Sequence, residues 1–142
     1  MTTIDTTVLD AWATALNKRD ARAFAACFAP RCHARDHALE KSFENPAVIE
    51  TYCALWFAAF PDYRVDVDDV PLSGPTTIVR WTQSGTLAQH LAGLTDGADL
   101  GRHFTVSGVS VIEFDGGSLI RAESDYWNLA TMLSQLGAGR RS

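Results

Sequence analysis

The stretch "SLIRAESDYWNLATMLSQLG", Ser118 to Gly137, decides the fold class. It opens as a strand, carrying Leu119, Ile120, Tyr126 and Trp127, and passes into a short apolar helix with no Gly or Pro between the two. At the junction stands Asp125, a carboxylate beside a serine and two large rings. Three more runs of strand length precede it: "YRVDVDDV", "TTIVRWTQSGTLAQH" and "RHFTVSGVSVIEF". The first alternates apolar and polar residues, as a half-buried strand does. "DGG", Asp115 to Gly117, reads as a tight hairpin turn in which glycine supplies a positive φ. Helices first and these strands afterwards predict an antiparallel meander.

The first third of the chain has a helical period instead. "TTVLDAWATALNKRD" places Val8, Leu9, Trp12, Ala15 and Leu16 on one stripe. Asp20 is placed to cap a second short helix running through Phe24 and Phe28, and Pro30 marks its boundary. "RCHARDH" then reads as a short strand. "ENPAVIETYCALWFAAFPD" is the clearest helix, with Asn45 as N-cap, Pro46 at its first turn and Pro61 closing it. Its expected apolar stripe is Val48, Tyr52, Leu55, Trp56 and Ala59. The order α-α-β-α-β-β-β-β-α is that of an α+β protein, a single domain over residues 1–142 with helices packed on one face of a curved antiparallel sheet.

Composition narrows the function classes. With 12 Lys and Arg against 17 Asp and Glu, the net charge of −5 and the lack of a basic stripe exclude a nucleic-acid partner. The basic pair Arg140 and Arg141 reads as a frayed tail. No apolar run reaches the ~20 residues of a membrane helix, and the N-terminus lacks the pattern of a signal peptide. Cys27, Cys32 and Cys53, odd in number and without CxxC spacing, read as buried apolar residues in a reducing cytoplasm.

Asp36 and Asp125 are the candidate catalytic residues. On a strand, Cys32, Ala34 and Asp36 share one face, small and apolar apart from the carboxylate, and His33, Arg35 and His37 share the other. A carboxylate on the first face would have its pKa raised by desolvation; the alternative is an Asx turn ending the strand. Counting by two, Asp125 shares a face with Arg121 and Glu123, the solvent side, while Ile120, Ala122, Ser124 and Tyr126 form the apolar face; a bulge would invert this. The two histidines and the Asp/Cys pair point to opposite faces of their strand, so no metal site is expected. Trp56, Trp81 and Trp127 are candidates for lining a pocket for a flat apolar ligand, and His103 for donating a hydrogen bond to a substrate carbonyl. No phosphate loop, Rossmann fingerprint or nucleophile elbow is present, and no cofactor is expected.

The order of elements, with "ALNKRDARAF", "FAAFPDYRVDV", "VRWTQSGT", "GRHFTVSGVSVIEFDGGSLI" and "DYWNLATMLSQLG", resembles the SnoaL-like polyketide cyclases. These belong to the nuclear-transport-factor-2-like superfamily, with ketosteroid isomerases and limonene epoxide hydrolases. The chain departs from that branch at "GTL" (Gly85–Leu87), at the longer loop "GLTDGADLG" (Gly93–Gly101), expected near a pocket mouth, and at Asn128 where an aspartate is usual. The resemblance implies a cone-shaped fold with the helices on the concave face of the sheet. It also implies an acidic catalytic residue near Asp36, a second one at the "DYWN" element, and a homodimer paired through the outer face of the sheet. The expected function is a cofactor-free acid–base enzyme of secondary metabolism, closing a ring in a polyketide-like apolar substrate by aldol or cyclic-ether chemistry. The alternatives are isomerisation, dehydration or epoxide hydrolysis, or a non-catalytic ligand-binding member of the fold.

Overall fold

The computed structural model describes residues 7–138; Arg140 and Arg141 lie outside the described residues. The elements are α1 (Thr7–Asn17), α2 (Ala21–Ala25), β1 (Phe28–Asp36), β2 (Lys41–Phe43), α3 (Pro46–Ala59), β3 (Arg64–Leu72), β4 (Thr76–Thr86), β5 (His103–Phe114), β6 (Ile120–Trp127) and α4 (Leu129–Gln135). The strands form one sheet in the order β2-β1-β6-β5-β4-β3. The meander β3-β4-β5-β6 is antiparallel as expected. Two features of the sheet topology differ from the sequence reading. A short edge strand, β2, pairs with the end of β1, and β1 itself runs parallel to β6, so the sheet is mixed.

The local signals explain most of the element boundaries. The Asp20 carboxylate accepts from Ala23 N, and Asn45 accepts from Val48 N with Pro46 at the first turn of α3. α2 ends at Ala25 rather than running to Phe28. Pro30 lies inside β1, where the β1–β6 register slips between Phe28 and His33, so its missing N–H costs no ladder bond. The turn after β5 uses Asp115 rather than glycine geometry. Its carboxylate accepts from Gly117 N and Leu119 N, and the positive φ falls on Ser118.

Trp12, Ala15 and Leu16 of α1 are buried as predicted. On α3 the buried stripe is Ile49, Trp56, Phe57 and Ala59, whereas Val48 and Leu55 are exposed. Facing them, β4 alternates, with Thr77, Val79, Trp81, Gln83 and Gly85 turned inward. The motifs that carry the family resemblance hold the frame together. Phe60 is fully buried and packs edge-on against Phe104, with Gly85 beneath it. Asp62 accepts from the backbone N–H and the hydroxyl of Thr86, both at 2.7 Å. Gln135 bonds the N–H and C=O of Thr105, Leu136 is fully buried, and Gly137, at φ 88°, lets the chain leave α4. Among the described residues, no helix is long and apolar enough to cross a membrane.

Candidate active site

Between the helices and the inner face of the sheet lies a cavity walled by rings: Trp12, Phe24, Phe28, Phe43, Tyr52, Trp56, Phe57, Tyr63, Trp81 and Trp127. Three carboxylates enter it, Asp36 from β1 and Glu123 and Asp125 from β6. Its volume is about 130 Å³. That is close to an engineered cavity of about 150 Å³ that takes up benzene, so a single ring fits without movement. Phe43 and Tyr52 also line an outer groove with Ala47, Val48, Thr51 and Leu55, which continues the path outward.

The position of Asp125 follows from two registers. Asp36 and Asp125 are partners across the parallel β1–β6 ladder, as are Ala34 and Glu123. Since Ala34 and Asp36 face the cavity, their partners do too. The β5–β6 ladder supplies the reason that counting along β6 alone misleads. Glu113 pairs with Ala122 but Phe114 pairs with Ile120, so Arg121 is an extra residue, a bulge at the start of the strand. Ile120 is therefore buried together with Glu123, while Arg121 is exposed and paired with Glu113. Tyr126, read as part of the apolar inner face, is exposed and stacks on His37 with ring centroids 4.3 Å apart.

Glu123 and Asp125 are hydrogen-bonded to each other. Two carboxyl groups can do this only when one carries a proton. Desolvation first, and the Asp125 charge second, push the Glu123 pKa well above the carboxylate range, against the lowering effect of the Trp12 indole. The indole N–H donates to Glu123 Oε1 at 3.0 Å. Glu123 is thus the protonated member and donates. Asp125 is raised to about 6, chiefly by desolvation, and its hydrogen bonds from Glu123 and Ser110 restrain the rise. A relay holds it in place: Trp81 Nε1 donates to Ser110 Oγ at 2.8 Å, and Ser110 Oγ donates to Asp125 Oδ1 at 2.6 Å. Gly108 makes room for that indole, since a Cβ there would lie 2.4 Å from a Trp81 ring carbon.

Asp36 unites the two readings offered for it. It ends β1 with a turn, accepting from Leu39 N at 2.9 Å, and its other oxygen, facing the cavity, accepts from Trp127 Nε1 at 3.0 Å. Burial raises its pKa, and these bonds oppose the rise. Trp56, Trp81 and Trp127 line the cavity as expected; Trp56 packs edge-on against both Tyr63 and Trp127.

His103 does not reach the cavity. It starts β5 at an exposed corner, where its ring nitrogen meets Thr86 Oγ1 at 2.9 Å. Its place at the far end of a long strand, beside the Asp62–Thr86 link, is the reason. The Gly93–Gly101 loop is also absent from the cavity wall; it folds against Leu87 and the end of α4 through bonds from Asp99 N to Leu136 O and from Gly101 N to Leu87 O. Asn128 caps α4 by accepting from Thr131 N, so the amide stands at a helix end rather than in the cavity. His33 pairs with Glu44 on the outer face. Glu123, Trp12, Tyr63, Gln83 and Ser110 were not anticipated as site residues. A reading of β6 that placed its bulge at Arg121 would have found Glu123.

The sequence model of the SnoaL-like polyketide cyclases matches residues 6–136. The chain belongs to that family. Solved structures show the same fold. A Catenulispora acidiphila protein with a ketosteroid isomerase-like fold, in complex with trimethylamine, has a TM-score of 0.79 at 21% identity, over 95% of each chain. TsrD from Streptomyces laurentii has a TM-score of 0.79 at 21% identity, over 96% of this chain and 99% of its own. IdmH from Streptomyces antibioticus, a candidate polyketide cyclase, has a TM-score of 0.73 at 19% identity, over 94% and 98%. No curated protein matches the chain significantly. Family membership supports a cyclase-type role for the cavity.

Proposed function

We propose that the cavity is the active site of a cofactor-free acid–base enzyme that closes a ring in a small polyketide-like substrate. The observation that carries this reading is the hydrogen-bonded Glu123–Asp125 pair, with Asp36 the register partner of Asp125, inside a cavity lined mainly by aromatic and aliphatic side chains. Pairs of carboxyl groups whose surroundings push their pKa values apart are the usual basis of acid–base chemistry near neutral pH.

In this reading Asp125, ionised above about pH 6, removes a proton from the carbon next to a substrate carbonyl. The enolate carbon attacks a second carbonyl of the same molecule, forming the ring bond. The new alkoxide takes a proton from Asp36, whose pKa is raised by burial, and the proton left on Asp125 then passes through solvent to Asp36, so the product is neutral and both groups are reset. Glu123 stays neutral and positions Asp125. The same groups can close a cyclic ether: Asp125 deprotonates a hydroxyl that opens an epoxide or adds to an enone of the same molecule, and Asp36 protonates the epoxide oxygen or the enolate that results. The ring-rich apolar wall holds the chain folded, which supplies part of the rate, and proton transfer adds about a hundred- to ten-thousand-fold. The exposed apolar residues Val67, Val70 and Leu72 on edge strand β3 support pairing of two copies through the outside of the sheet.

The test is deuterium incorporation at the carbon between ring and carbonyl of phenylacetone in D2O, followed by NMR. The protein accelerates exchange over buffer, and Asp125→Asn loses the acceleration. Exchange at the buffer rate with the unaltered protein sinks the reading for carbon acids.

A further inference from the structure

Two side-chain polar atoms lie buried without a hydrogen-bond partner among the described residues, Gln83 Nε2 and Tyr52 Oη. Both residues line the cavity. Gln83 is 3% exposed, on β4. Its amide oxygen is already used, accepting from the Tyr63 hydroxyl at 2.7 Å, and Tyr63 is itself buried. That bond orients the amide and leaves its NH2 group with no acceptor. A buried donor without an acceptor is costly, and the cost disappears when a ligand brings one.

We propose that Gln83 is a specificity-determining residue that donates from Nε2 to an oxygen of the substrate, a carbonyl oxygen being the matching acceptor. The proposal rests on the cavity being a substrate site and adds the chemistry of the substrate's inner end. Gln83 is remote from the carboxylates on the sheet. Asp125 stands opposite Ser110 of β5, Ser110 opposite Val79 of β4, and Gln83 lies four residues beyond Val79 on the same inward face. Trp81 stands between. The oxygen held by Gln83 is therefore a different one from the oxygen activated beside Asp125. The substrate carries at least two oxygen functions separated by a flat apolar part that lies on the indole. An amide NH2 donates and cannot accept, so it selects a ketone or ester carbonyl over a hydrocarbon of the same shape.

The probes are acetophenone and α-methylstyrene, which differ by C=O against C=CH2, titrated calorimetrically. The quantity read is the ratio of their affinities, since the hydrocarbon gains more from leaving water. To keep the Tyr63 hydroxyl from replacing the amide, Tyr63→Phe is compared with Tyr63→Phe/Gln83→Leu. The ratio in favour of the ketone falls about tenfold on loss of the amide. A ratio that stays within about twofold of its starting value overturns the assignment of Gln83 while leaving the cavity as a ligand site. If neither probe binds the unaltered protein, the assignment and the reading beneath it both fail. Should the leucine variant not fold, as judged by circular dichroism, Gln83→Met removes the same donor with a flexible chain of similar length.

Discussion

Asp36 and Asp125 are register partners on neighbouring parallel strands, and this pairing turns both carboxylates into one cavity. In a parallel ladder, partners point to the same side of the sheet. The single parallel pairing of an otherwise antiparallel sheet thus joins a residue of the first third of the chain to one near its end. Glu123, one inward position before Asp125, completes the group.

Asp125→Asn removes the proposed base with almost no change in shape. It is expected to lower kcat by about a hundred- to ten-thousand-fold with a small change in KM. Steady-state kinetics on any substrate found by screening checks this. Equal activity of the variant would assign the chemistry elsewhere.

The same variant is expected to be more stable at pH 7. Burial raises Asp125 from the ordinary 3.8 to about 6, so between these values the folded chain holds a proton that the unfolded chain has lost. Stability therefore falls as pH rises from about 4 to about 6, and the deficit persists above that. Two pKa units correspond to about 3 kcal/mol. Asparagine carries no such charge and can still accept from Glu123. Thermal melts should show Asp125→Asn above the parent at pH 7, by several degrees, with the gap closing near pH 4. An unchanged gap across that range would mean that Asp125 is not desolvated.

These pairings also mark how much of the site was legible in the sequence. Caps and proline stops at Asp20, Asn45 and Pro61 announce themselves because their causes are local. The alternation of "YRVDVDDV" marks a strand, β3, but only Val65 of it is buried. Asp36 was legible for a local reason too, since Cys32, Ala34 and Asp36 keep to one face of the second half of its strand. Glu123 was not: Arg121 bulges out of β6, and nothing within "SLIRAESDYW" marks which residue is extra. Only the partner strands fix that. Gln83 sits at an inward position of β4, yet a lone polar residue on a strand carries no sign of the tyrosine that binds it. The position of His103 away from the cavity was not legible for a further reason: being at the start of a strand says nothing about which end of the sheet holds the cavity.

Gly108→Ala is expected to disable the site from the outside of the relay. Its Cβ would overlap the Trp81 ring, so the indole must move and lose its bond to Ser110. Overpacking of this kind costs about 1–3 kcal/mol. Near-ultraviolet circular dichroism should change, and kcat should fall more than the loss of stability explains. An unchanged tryptophan signal would show that the indole is free to shift.

Trp127→Phe keeps a ring at the cavity wall but removes the donor on Asp36 Oδ2. That bond opposes the desolvation that raises Asp36, so its pKa is expected to rise further. The activity profile should then extend to higher pH on its alkaline side if Asp36 is the acid. A profile that does not move assigns the proton donor to another group.

In the proposed function a desolvated carboxyl pair, Glu123 and Asp125, stands ready for proton transfer in the cavity. Titration of the side-chain carboxyl carbons by NMR, on protein labelled at Asp and Glu and assigned with Asp125→Asn and Glu123→Gln, tests it directly. Two linked transitions are expected, one near pH 6 and one well above the carboxylate range, each shifted when the partner is replaced. Two independent transitions near pH 4 would contradict it, because carboxylates that titrate as they do in water are neither buried nor paired.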